Sequence, residues 1–148
     1  MTQGFACSIR IGSPDDLLSI FFADPMCQSV PDRAQMLGRA LAQGECHVAT
    51  ESDRIVGFVI RDSGFFGQAF VPLIVVAVAN RRAGIGTALL AEAEFGCRRT
   101  KLFTTTNESN VAAQRLFEKC GYVPSGRIEN LDDTDDELVY CKWLERGA

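Results

Sequence analysis

A chain of 148 residues that is 47% hydrophobic and 23% charged has the length of one domain and too much apolar content for intrinsic disorder. Fifteen basic against nineteen acidic residues leave a net charge of −4, which lacks the basic footprint of a general nucleic-acid binder. The longest apolar run, FVPLIVVAVA, is about half of what a membrane-spanning helix needs, and the opening MTQGFACSIR lacks a signal peptide's basic-then-apolar pattern. The expectation is one cytoplasmic domain over residues 1–148, with no nucleic-acid and no membrane partner.

In chain order, CSIRIG alternates like a short first strand. Ser13-Pro14-Asp15-Asp16 supplies a helix start, with proline in the first turn and acids near the positive end of the dipole. That helix is expected to run to about Phe22. A second begins near Pro31-Asp32, carries Ala34, Leu37 and Leu41 on one face, and ends at Gly44. ECHVAT and RIVGFVIRD read as strands joined by a charged turn, and Ser63-Gly64 with Gly67 suggests a loop. FVPLIVVAV is a β-branched run without alternation, the pattern of a central strand buried on both faces.

Gly84 to Cys97 reads as a helix, with Ile85, Leu89 and Ala93 four residues apart. KLFTTT is a short strand. Asn110 to Lys119 is a helix closed by Gly121, and YVPSGRIE and ELVYCKWL are final strands flanking an acidic loop. The strand–helix–strand–helix order from Phe70 to Lys119 demands parallel pairing with a crossover helix, while the outer strands favour antiparallel neighbours. The expected fold is an α/β (α+β) mixed sheet of about seven strands flanked by about four helices.

The cysteines (Cys7, Cys27, Cys46, Cys97, Cys120, Cys141) are scattered with no CxxC pair, and the single histidine, His47, has no ligand partner nearby in sequence. They read as reduced, mostly buried small hydrophobes, and no metal site is expected.

The informative segment is the strand ending VVAV, then Asn80-Arg81-Arg82-Ala83-Gly84-Ile85-Gly86-Thr87 opening a helix. Glycines at such a turn let backbone amides approach a ligand closely. The first N–H groups of the helix then point at an anion with the dipole behind them, and arginines add cationic donors. The segment lacks GxxxxGK[ST] and the third glycine of a dinucleotide fingerprint. On these residues alone, a phosphate site and a tight strand–helix turn without a ligand both remain open.

Arg81-Arg82-Ala83-Gly84-Ile85-Gly86 resembles the (Arg/Gln)-x-x-Gly-x-(Gly/Ala) signature of the GNAT superfamily of N-acetyltransferases. Downstream, Asn110-x-x-Ala113-x-x-Leu116-Phe117-Glu118-Lys119-x-Gly121-Tyr122 is similar to the family's Asn-x-x-Ala-x-x-Leu-Tyr-x-Lys-x-Gly-(Phe/Tyr) helix. Two motifs in the correct order, with SIRIGSPDD resembling the family's opening, extend the resemblance over nearly the whole chain.

The resemblance implies acetyl-CoA as co-substrate and an amine as acceptor, with a homodimer open. It implies that the backbone of Ile74, Val75 and Val76 pairs with the pantetheine arm, one amide also serving as an oxyanion donor. Amides from Arg82, Ala83, Gly84, Ile85, Gly86 and Thr87 would hold the pyrophosphate, joined by Arg81. Asn110, with Ala113 and Phe117 on the same helix, would border the cofactor. The chain departs from the family where the chemistry is carried. Phe117 occupies the usual place of a tyrosine acid, and Thr105 stands where some relatives carry glutamate. Tyr122 is a replacement donor of little positional support, with Cys120 and Tyr140 behind it.

Six acids fall within the nine positions from Glu129 to Glu137. They read either as a rim attracting a cationic amine or as a solvated hairpin loop. Two functions stand against each other: an N-acetyltransferase acting on a primary amine of a small molecule or peptide in a ternary complex, and an acetyl-CoA-binding sensor with little turnover.

Overall fold

The computed structural model describes residues 7–81 and 83–145. Seven strands, β1 (Ser8–Ile11), β2 (Cys46–Glu51), β3 (Arg54–Phe65), β4 (Gln68–Val76), β5 (Lys101–Asn107), β6 (Val123–Ile128) and β7 (Glu137–Trp143), form one sheet in the order β1-β2-β3-β4-β5-β7-β6. The β4–β5 ladder is parallel and the ladders of β1–β2, β2–β3, β5–β7 and β6–β7 are antiparallel, so the sheet is mixed as expected. Among the described residues five α-helices accompany it: α1 (Leu17–Ala23), α2 (Met26–Ser29), α3 (Pro31–Gln43), α4 (Ile85–Phe95) and α5 (Val111–Lys119). The chain falls into two compact units, Met1–Arg61 with Leu73–Ala93, and Asp62–Pro72 with Glu94–Ala148.

In the first unit, Ile20, Cys27, Leu37, Ala40 and Leu41 from α1 to α3 pack with Cys46, Val48, Phe58 and Ile60 of β2 and β3. α3 starts on Pro31 and stops at Gly44, whose φ of 72° provides a left-handed cap. A short element absent from the sequence reading, α2, is anchored by buried Asp24. Its carboxylate accepts from Arg33 Nε at 2.6 Å and from the Cys27 thiol at 3.1 Å. Burial, reinforced by that carboxylate, pushes the Cys27 thiol up to about 12. Successive residues of a strand face opposite sides, so Gly57 lies on the face opposite Phe58. There it takes α4, with Ile85 and Leu89 nearest.

Continuous burial belongs to β3, where Val56 to Ile60 are all buried, and not to β4. In β4 only Ala69 and Val71 are buried, and Leu73 to Val76 are half-buried. The β4–β5 ladder consists of Phe70 with Phe103 and Val71 with Thr104, so the apolar run continues beyond its pairing. The loop expected from Ser63-Gly64 with Gly67 narrows to its Gly67 end, because Ser63-Gly64 lie within β3. It is Phe66-Gly67, both at positive φ (54° and 78°), a two-residue hairpin whose twist suits the strands. Ser52-Asp53 turn β2 into β3 in the same way.

In the second unit, β5 pairs with β7 from Lys101–Trp143 to Asn107–Glu137, and Leu102, Thr104 and Thr106 alternate inward. Phe117 of α5 is buried, its ring 5.5 Å from that of Tyr140 and 6.0 Å from that of Tyr122. Among the described residues no helix is long and apolar enough to cross a membrane, and no two cysteines form a disulfide.

Candidate functional site

The first unit holds the end of β4 and the start of α4. Ala77 N–H donates to Val56 O at 2.8 Å, and Val75 O lies against Gly57 of β3. Along a strand the backbone groups of alternate residues address opposite edges. Those of Val75 and Ala77 are turned to β3, and those of Ile74 and Val76 to the other edge of the strand. A single 3-10 turn (Val78–Asn80) follows, and Arg81 Nε donates back to Val76 O at 3.2 Å. Arg81 therefore braces the strand end as well as standing beside the glycine turn.

Gly84 sits at φ 82°, a left-handed conformation that a side chain disfavours. Its carbonyl accepts the Ala88 N–H at 3.1 Å, the first bond of α4. The N–H groups of Ile85 and Gly86 precede that bond and have no acceptor within the helix. No acidic residue lies in the first turn of α4 to compete with an incoming anion. Gly84 and Gly86 place no side chain beside those amides. The residues present thus fit a phosphate group. Arg82, the remaining arginine of the signature, lies outside the described residues.

The second unit holds the other motif. Asn110 caps α5, its side-chain oxygen accepting from Ala113 N–H at 3.1 Å. Tyr122 is buried and its hydroxyl donates to Glu94 Oε2 at 2.9 Å, while Lys142 Nζ reaches Glu94 Oε1 at 2.8 Å. Burial and the Glu94 charge push the Tyr122 phenol far above its ordinary value. Its proton is committed to a structural bridge. Tyr140, beside Phe117, is raised by burial and by the Glu118 charge. At the last pair of the β4–β5 ladder, Thr104 Oγ1 donates to Val71 O at 2.9 Å and closes it with a side chain.

The acidic segment is tied down. Asn107 Nδ2 donates to Asp132 Oδ2 at 2.7 Å and Glu137 Oε1 at 3.1 Å, and Asp135 accepts from Ser109 N–H at 3.0 Å. Arg127 spans Asp136 and Glu108, both at 2.6 Å. Four of the six acids serve as acceptors for their own neighbourhood, so most of that negative charge organises the loop.

The model of the acetyltransferase (GNAT) domain matches residues 42–124, more than half of the chain. A GNAT-family acetyltransferase from Bacillus cereus is 32% identical, with a TM-score of 0.87 over 95% of this chain and 99% of that one. The chain belongs to the GNAT acetyltransferase family. The ribosomal-protein-S18-alanine N-acetyltransferase of Escherichia coli shares the fold at 19% identity, with a TM-score of 0.78 and 96% of each chain covered. An acetyltransferase from Salmonella typhimurium, whose structure holds acetyl-CoA, does so at 16% identity and a TM-score of 0.75, over 97% of this chain and 96% of that one. No curated protein matches significantly.

Within each unit the motif residues fall together: Ile74, Val76, Arg81, Gly84, Ile85 and Gly86 in the first, and Asn110, Ala113 and Phe117 in the second. Reasoning from sequence missed Gly57, Thr104 and the Glu94 bridge. Gly57 carries a local signal, a lone glycine in a β-branched strand, which marks a close backbone approach.

Proposed function

We propose that this chain transfers the acetyl group of acetyl-CoA to a primary amine of a small molecule or peptide, by direct attack within a ternary complex. The observation that carries the reading is the glycine turn into α4. It presents Ile85 and Gly86 amides without a competing acid, directly after a strand whose Ile74 and Val76 backbone groups are turned away from β3. The pyrophosphate is assigned to the amides of Arg82 through Thr87 together with Arg81, and the pantetheine arm to the backbone groups of Ile74 and Val76 that are turned away from β3. Acetyl-CoA supplies an acyl group already activated as a thioester. An N–H of Ile74 or Val76 serves as the oxyanion donor, fixed in place by the strand before the reaction begins. Asn110, Ala113 and Phe117 are assigned to the cofactor side of α5.

Four of the six thiols argue for direct attack over an acyl-cysteine route. Burial raises the pKa of Cys27 and Cys46 to about 12 and also lifts Cys7 and Cys141, leaving little thiolate at neutral pH. Phe117 has no proton to donate, so the departing thiolate leaves without the family's tyrosine acid. A thiol pKa near that of cysteine, about 8.5, makes that departure tolerable. The test is mass-spectrometric detection of free CoA and acetylated amine after incubation with acetyl-CoA and pooled polyamines, aminoglycosides, amino acids and peptides. Acetylated product is the expected result. Bound acetyl-CoA with no product from any pool would instead favour an acetyl-CoA sensor.

A further inference from the structure

The peptide groups at the end of β4 are not held equally firmly. A peptide group is planar and trans, so its carbonyl and its N–H point opposite ways. In the group joining Val76 to Ala77, the Ala77 N–H donates to Val56 O of β3 at 2.8 Å, and the Val76 carbonyl accepts from Arg81 Nε at 3.2 Å. That plane is pinned at both ends. In the group before it, Val75 O lies against Gly57 of β3, which directs the Val76 N–H to the opposite edge of the strand. The β4–β5 ladder ends at Val71, before this donor is reached.

Val76 N–H is thus the last donor of β4 aimed at that edge, set between a packed carbonyl and a clamped plane. The Ile74 groups have no such side-chain clamp among the described residues. Arg81 can reach back because the chain folds on itself between them. Asn80 N–H donates to Ala77 O at 2.8 Å and Arg81 N–H to Val78 O at 3.4 Å, closing the 3-10 turn Val78–Asn80. Nε is the nitrogen engaged at Val76, and the two terminal nitrogens of the guanidinium stand outside that bond. One side chain can therefore hold the strand end and still face an anion.

We propose that the Val76 N–H, rather than that of Ile74, is the oxyanion donor of the acetyl transfer, and that Arg81 is its positioning residue, acting through the Val76 carbonyl. This rests on the amine-acetyltransferase reading above. As the neutral amine nitrogen bonds to the thioester carbon, the carbonyl π pair moves onto oxygen and the Val76 N–H donates to that oxygen. When the pair returns, the C–S bond breaks, sulfur keeps its electrons, and one proton of the attacking amine reaches it through solvent. A donor stabilises such charge most when it already stands in place, which is what a plane clamped on both sides provides.

The test compares parent, Arg81→Met and Arg81→Gln with two acyl donors, acetyl-CoA and S-acetylpantetheine, which carries the thioester but no diphosphate. Methionine has neither N–H donor nor charge, and glutamine has a donor without charge. In Arg81→Met, kcat should fall by about 10–10²-fold with both donors, as for a misplaced group. Arg81→Gln should recover most of that kcat, while its acetyl-CoA affinity by calorimetry stays weakened. In the ligand-free proteins, hydrogen exchange at the Ala77 amide should quicken in Arg81→Met and return toward the parent in Arg81→Gln. An ester in place of the Val76 amide should lower kcat by about 10²–10³-fold, the cost of a lost oxyanion donor, and the same exchange at Ile74 by less. A loss confined to acetyl-CoA, or equal losses of kcat in Arg81→Met and Arg81→Gln, would make Arg81 a phosphate ligand alone and overturn the proposal. A lower melting temperature with kcat kept would make it merely structural, and a larger loss at Ile74 would move the donor. In each of these cases the transferase stands. A parent that binds acetyl-CoA but acetylates no amine overturns the transferase reading and the oxyanion role with it.

Discussion

Gly57→Ala probes the packing that holds the site's strand and helix together. A Cβ at residue 57 would meet Val75 O at 2.8 Å, Leu89 Cδ1 at 3.2 Å and Ile85 Cγ2 at 3.4 Å. Carbon and carbonyl oxygen are comfortable at about 3.3–3.6 Å, so the backbone of β4 has to yield by roughly half an ångström. The side chains of Ile85 and Leu89 can adjust, but the Val75 carbonyl belongs to a paired strand. Overpacking of this kind costs about 1–3 kcal/mol, and alanine returns about 0.4–1 kcal/mol by restricting the unfolded chain. The expected net loss is about 1–2 kcal/mol in urea unfolding. The moved carbonyl lies between Ile74 and Val76, so acetyl-CoA affinity measured by calorimetry should weaken too. A Gly57→Ala protein as stable as its parent, with parent-like affinity, would refute the reasoning. Lost stability with unchanged affinity would sever β4 from cofactor binding.

Tyr122→Phe deletes the bond to Glu94 and should cost about 1.5–3 kcal/mol of stability, the range for a hydrogen bond to a charged group, with kcat retained. A fall in kcat at unchanged stability would make Tyr122 chemical. Burial is the main cause that lowers the His47 pKa, with Arg61 adding to it and Glu92 opposing. The unfolded chain therefore binds the proton first, and stability should fall as pH drops from about 6.5 toward the folded value. His47→Gln should remove that part of the pH dependence in denaturation series. Glu137 has the opposite sign, since its folded pKa is raised and its stabilising contribution is present below its unfolded value and lost as pH rises through the folded one. At neutral pH Glu137→Gln should thus melt no lower than its parent, and a lower melting temperature would contradict the burial argument.

Local signals were legible where local chemistry decides. Pro31 and Gly44 bound α3, Gly84 marks the turn into α4, and Asn110 caps α5, each through the backbone preference or the short-range hydrogen bond of that one residue. Burial of β4 was misjudged because an apolar run reports composition, whereas burial depends on which neighbours cover the strand. Gly67 announced the turn, but its start was set too early because nothing in Phe66 announces a positive φ, while Ser63-Gly64 looks like a turn and lies in a strand. α2 and its anchor Asp24 are held by Arg33, nine residues away, a tertiary arrangement without a periodic trace. Glu137 was visible only as one acid among six. Its place opposite Asn107 comes from the β5–β7 register, which sequence spacing does not contain.

The most direct measurement is an initial-rate experiment varying acetyl-CoA and the acceptor amine together, read by mass spectrometry of the acetylated product. Direct attack in a ternary complex predicts double-reciprocal lines that intersect, and intact protein that carries no acetyl group after exposure to acetyl-CoA alone. Parallel lines, with acetyl found on a cysteine of the protein, would contradict it.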